Sequence, residues 1–183
     1  MKIEKEITVL VTCDYKQIHK ELLDNNFKIK EEYELIDDYM IDSKIDIHSI
    51  SKLEILKNCI LIRNIVNIKK MLLYKYKKYA SNGDILEQGK VECPIENIDS
   101  AINFMETINY KKLFTIYDKC VVYSNGKTEL AVQLVNDKYI FIELEDGSLK
   151  SYKDIEEMKE DLNSYNLSID KNLIEQRTNV IKL

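Results

Sequence analysis

The feature that most constrains this chain is a two-residue alternation of apolar and polar side chains, recurring in residues 2–11, 28–42, 58–66, 70–80, 85–93, 112–123, 128–135 and 139–146. Successive side chains of a strand point to opposite faces, so each run reads as a strand with one apolar face. Asn82-Gly83 and Asn125-Gly126 lie between such runs and predict tight hairpins, because both residue types tolerate positive φ. Asn136-Asp137 and Asp146-Gly147 mark two further turns. The last four strands then follow one another as up-and-down neighbours. Eight strands suffice to close a barrel.

Helical spacing appears between these runs. Ile98, Ala101, Ile102, Met105 and Ile108 share one helix face, as do Ile155, Met158, Leu162 and Tyr165. A third helix follows Asp14, an expected N-cap, with Tyr15, Ile18 and Leu22 on its buried side, and a weaker one spans 47–56. The single proline, Pro94, stands where a strand hands over to a helix, and no repeat or linker interrupts the chain. The expected fold is α+β: an antiparallel eight-stranded β tunnel barrel with peripheral helices, forming one domain over residues 1–183.

Charge narrows the partners. With 27 basic against 32 acidic side chains the net charge is −5, so no general positive field draws the chain onto nucleic acid. An anionic ligand would need a local basic pocket. No apolar stretch approaches a membrane span, and the start carries no secretion signal. Cys13, Cys59, Cys93 and Cys120 are widely spaced, which signals neither a zinc site nor a disulfide framework and suits a reducing cytoplasm.

The polar faces carry the chemistry. In the first strand Ile3, Ile7, Val9 and Val11 point one way, so Glu4, Glu6 and Thr8 point the other. In 139–145, Ile140, Ile142 and Leu144 oppose Glu143 and Glu145. One such strand alone is an ordinary solvent face. If both polar faces look inward, four carboxylates share a low-dielectric space and require protons, lysines or a divalent cation to compensate. Hard oxygen donors of this kind suit magnesium or manganese. Arg63, Lys75, Lys77 and Lys90 on neighbouring strands supply counter-charge, and bases beside metal-binding acids make a pocket for a polyanion.

These residues resemble the signature of the triphosphate tunnel metalloenzymes, the CYTH superfamily that includes class IV adenylyl cyclase and thiamine triphosphatase. Glu4-Lys5-Glu6-Ile7-Thr8 is similar to the family's Glu-x-Glu-x-Lys strand, and Glu143-Leu144-Glu145 to its late paired-glutamate strand. Ile60-Leu61-Ile62-Arg63 resembles its Leu-x-x-Arg strand, Lys75 its strand lysine, Glu92 its mid-chain glutamate, and 38–42 its Asp-x-Tyr-x-Asp segment with Met40 in place of tyrosine. The resemblance covers nearly the whole chain. It implies Mg2+ or Mn2+ on Glu4, Glu6, Glu143, Glu145 and Glu92, with Arg63, Lys75, Lys77 and Lys90 gripping phosphates and Glu92 able instead to orient Arg63. The activity implied is metal-dependent hydrolysis or cyclisation of inorganic, nucleoside or thiamine triphosphate. The implied partner is a small-molecule triphosphate or nucleotide, not nucleic acid or a membrane; a homodimer stays open.

Four departures fall on that pattern. Thr8 replaces the first-strand lysine, and Asp118 and Cys120 stand where the family's Lys-x-Arg cations belong, while Lys119 alternates outward. Gln133 replaces an aspartate. The interior loses three cations, so a second reading is a degenerate, non-catalytic module that binds a nucleotide or other anion. His19 and His48, the only histidines, fall in expected helical regions far apart in sequence and read as structural.

Overall fold

A computed structural model describes the backbone of residues 2–79 and 85–174 and the side chains of residues 5–76 and 89–170. The elements run β1 (Lys2–Glu4), β2 (Glu6–Val11), α1 (Tyr15–Asp24), β3 (Lys28–Asp42), α2 (Lys52–Lys57), β4 (Ile60–Ile65) and β5 (Lys69–Tyr79). They continue as β6 (Ile85–Pro94), α3 (Ile98–Thr107), β7 (Tyr110–Ser124), β8 (Glu129–Val135), β9 (Tyr139–Glu145), α4 (Ile155–Ser164) and β10 (Ile169–Ile174). The paired strands follow the order β1-β6-β5-β4-β3-β7-β8-β9-β2-β10, and every described pair is antiparallel.

Closure follows from the two ends of that order. β1 and β2 are lengths of one strand interrupted only at Lys5, yet β1 pairs with β6 and β2 pairs with β9. The first strand therefore joins both ends of the sheet, and the eight expected strands make a ring. β10, which the alternation pattern did not reveal, adds to the edge of β2 beyond the reach of β6.

Two faces separate as the alternation requires. Outside the ring, Ile7, Val9 and Val11 of β2 pack with Leu130 and Val132 of β8 and Ile140, Ile142 and Leu144 of β9, under Ile18 and Leu22 of α1 and Met158 and Leu162 of α4. Helix α3 lays Ala101 and Met105 over Met40 and Ile62. Inside, Tyr39, Leu61, Leu73, Ile116, Val135 and Phe141 come from six different strands yet form one cluster with Ile55 of α2. Only the interior of a ring brings those faces together. Each large aliphatic side chain removed from water contributes about 1.5–3 kcal/mol.

Local signals explain the element ends. Asp14 caps α1 by accepting from the Gln17 N–H, Asn97 caps α3 and Asp154 caps α4. Asn26, Asn109 and Asn166 then take left-handed φ of 63°, 68° and 51° just past the three helices, a place where glycine is more usual. The weak helix expected over 47–56 is shorter and later: Ser51 caps it by accepting from the Glu54 N–H, so His48 lies in a turn. Asn136 and Asp137 both adopt left-handed φ between β8 and β9. At Asn125-Gly126 only Gly126 does so, while the Asn125 side chain accepts from the Lys127 and Thr128 N–H groups. The Asn82-Gly83 turn lies outside the described residues.

Candidate functional site

Strand register decides which side chains look into the ring. Glu6 stands directly opposite Glu145, and Thr8 opposite Glu143, on the face that also carries Leu10 and the fully buried Phe141. Across the ring Lys75 stands directly opposite Lys90, on the face of Leu73. The interior thus holds two like-charged cross-strand pairs of opposite sign. Like charges opposite each other on a sheet are destabilising, which makes such pairs informative about what lies between them. Glu4 pairs in register with Gln88, but its side chain and that of Lys77 lie outside the described residues.

Arg63 also faces inward, opposite Asp37 on β3. Its Nε donates to Asp37 Oδ1 and its Nη2 to Oδ2, both at 2.7 Å, and Asp37 is 0% exposed. This two-pronged geometry uses two of the five guanidinium donors and fixes the plane of the group. Asp37 therefore orients Arg63. Glu92 instead lies 3.4 Å from Lys90 Nζ and 3.9 Å from Lys69 Nζ. Sequence reading missed Asp37 because its partner lies on another strand; its inward parity, two residues before Tyr39, was the available signal.

The substituted positions are packed, not open. Thr8, Asp118, Cys120 and Gln133 are all at most 7% exposed. Cys120 pairs in register with both Tyr33 and Gln133, and the Tyr33 and Cys120 side chains hydrogen-bond to each other. Burial, then Cys120 and the Glu143 and Asp118 carboxylates, push the Tyr33 phenol far above the ordinary tyrosine value. Gln133 Nε2 donates to Glu143 Oε2 at 3.3 Å. Tyr33 and Gln133 thus occupy the wall where the sequence comparison placed two phosphate-binding cations. As expected, Lys119 points outward, 2.7 Å from Asp137.

Elsewhere polar contacts are structural. His19 Nδ1 lies 2.7 Å from the hydroxyl of the buried Tyr123, and Tyr15 stacks on the His19 ring. The four cysteines are free, and burial pushes the Cys59 thiol up to about 12. Among the described residues no group of three or more His, Cys, Asp or Glu is set to hold a metal ion, and no helix is long and apolar enough to cross a membrane.

No protein-family model matches this sequence, and no curated protein matches it. Solved structures do match. A conserved protein from Pyrococcus furiosus superposes with a TM-score of 0.66 at 19% identity, covering 92% of this chain and 97% of that one. A Hippeastrum adenylyl cyclase candidate with dominant triphosphatase activity superposes with a TM-score of 0.62 at 14% identity, over 96% and 93% of the two chains. A chain of the Schizosaccharomyces pombe Mediator head module superposes with a TM-score of 0.57 at 7% identity, over 90% and 92%. The chain has the CYTH-like tunnel fold. At these identities the likeness speaks for the fold alone.

Proposed function

We propose that the barrel takes a triphosphate compound between its two like-charged pairs and, with a divalent cation, hydrolyses or cyclises it. The observation that carries this reading is the register, which sets the cations Lys75 and Lys90 opposite each other and the carboxylates Glu6 and Glu145 opposite each other on the inner face of one ring. A metal-bound polyphosphate satisfies both. The donor chemistry fits Mg2+ or Mn2+, because carboxylates are hard oxygen ligands. Glu6 and Glu145 would hold it, with Glu4, Glu143 and Glu92 as the further carboxylates of the resemblance. An ion held by these carboxylates would supply charge that polarises phosphoryl oxygens and offsets the charge developing on them. Lys75, Lys90 and Lys77 would grip phosphates, and Arg63, held in plane by Asp37, would add its charge beside the same oxygens.

A second reading, an anion-binding module without turnover, is favoured by the Asp37–Arg63 pair. A fully buried carboxylate already offsets the guanidinium charge, and the packed side chains of Thr8, Asp118 and Cys120 stand where the resemblance has three cations. Occurrence of this fold in a Mediator head module chain is consistent with non-enzymatic use. Phosphate and pyrophosphate release from tripolyphosphate, ATP, GTP and thiamine triphosphate, with Mg2+ and with Mn2+, separates the two. Turnover that disappears in Lys75→Ala supports the enzyme; binding without release from any substrate supports the module.

A further inference from the structure

The ring is not covered evenly, and the bare part has a definite chemistry. α1 and α4 cover β2, β8 and β9, and α3 covers β4 with the end of β3. No described helix lies over the start of β3 and the adjoining middle of β7. There the outer face keeps Ile29 at 46% and Tyr117 at 58% exposure, with Val121 and Leu134 half-buried between them. A cavity of about 460 Å3 opens on this face, lined by Tyr15, Glu32, Glu34, Val121 and Leu134 among others. A second, of about 160 Å3, shares Glu34, Lys119 and Leu134 and extends the depression to Tyr117 and Asp137. The two form one groove from the start of α1 to the β8–β9 turn.

Its floor is apolar and its rim is acidic. Glu32 and Glu34 are exposed neighbours on one face of β3, standing in register with Val121 and Lys119. The nearby lysines are already matched: Lys119 lies 2.7 Å from Asp137, and Lys30 is paired with Glu129. Exposed apolar floors of this kind mark interaction surfaces. A second copy of this chain is the poorer occupant, since it carries a net charge of −5 and would approach an acidic rim.

We propose that this groove docks a basic amphipathic segment of a partner protein, its apolar side chains on Val121, Leu134 and Tyr117 and its lysines or arginines on Glu32 and Glu34. This surface lies outside the ring and is independent of any triphosphate in it.

The test uses the full chain and a fluorescent twelve-residue Leu/Lys amphipathic peptide as probe, with a Leu/Glu peptide as control, read by anisotropy. The expected result is saturable binding of the basic peptide alone, weakening with salt and falling at least tenfold in Glu32→Lys/Glu34→Lys. Both positions are exposed, so the variant should fold, and its melting temperature checks this. An equally charged variant on α4, Glu156→Lys/Glu160→Lys, should bind as the wild type does. Equal losses in both variants would reduce the effect to net charge and overturn the proposal, as would no binding. Self-association of the free protein that is abolished by Glu32→Lys/Glu34→Lys would overturn it in favour of a homodimer.

Discussion

Asp37 and Arg63, 26 residues apart in sequence, hold each other through two 2.7 Å hydrogen bonds inside the barrel, with the carboxylate fully removed from solvent. Removing the arginine leaves a buried charge without its partner, which costs about 3–5 kcal/mol, whereas replacing both by apolar groups is near neutral or better. Arg63→Ala should therefore destabilise by that amount in urea unfolding, and Asp37→Leu/Arg63→Met should recover most of it. A loss under about 1 kcal/mol in Arg63→Ala would show that the pair is solvated.

Restoring the family's cations is not a matter of charge alone. Cys120 and Asp118 are 2% and 3% exposed and packed beside Tyr33, so a larger cation overfills the wall. Cys120→Arg should destabilise by more than about 2 kcal/mol, combining overpacking with a buried charge. Thr8→Lys should cost less, since its ammonium arrives opposite Glu143. Thermal melts of the two variants check the order; equal losses would contradict it.

The strand faces were legible in the sequence because period-two alternation is local: 28–42 coincides with β3, and Ile7, Val9 and Val11 lie under the helices. Asp14 was legible as a cap for the same reason. What escaped depends on contacts between distant strands. Alternation places Asp37 and Tyr33 on the inner face but does not say that Arg63 and Cys120 meet them there, and β10 is fixed by pairing to β2, not by its own pattern. The left-handed asparagines after α1, α3 and α4 were readable as stops and were not used.

Asp161 gives a pH signature. Burial favours its neutral acid, but hydrogen bonds from Tyr152, Lys150 and Thr128 outweigh this and hold the carboxyl below the usual aspartate range. Because the folded value is depressed, the stability it contributes is complete above the unfolded value of about 3.9 and is lost as pH falls through the folded value. The melting temperature of the wild type should therefore fall more steeply than that of Asp161→Asn between about pH 5 and about pH 2.5. Parallel curves would mean that these bonds do not favour the charged form.

The Lys75–Lys90 register carries its own stability test. Lys75 stands opposite Lys90, which Glu92 partners at 3.4 Å, so without ligand Lys75→Ala should change stability by less than about 1 kcal/mol. The same variant should bind tripolyphosphate at least tenfold more weakly. A destabilised variant with unchanged binding would make Lys75 a structural residue.

Whether the two like-charged pairs hold one metal-bound polyphosphate is decided by calorimetric titration of tripolyphosphate in Mn2+ and then in EDTA. Binding in Mn2+ should weaken at least tenfold in EDTA, and separately in Glu6→Gln/Glu145→Gln and in Lys75→Ala, with all variants folded. Binding that is indifferent to the metal and to both pairs, or no binding in Mn2+ or Mg2+, would contradict it.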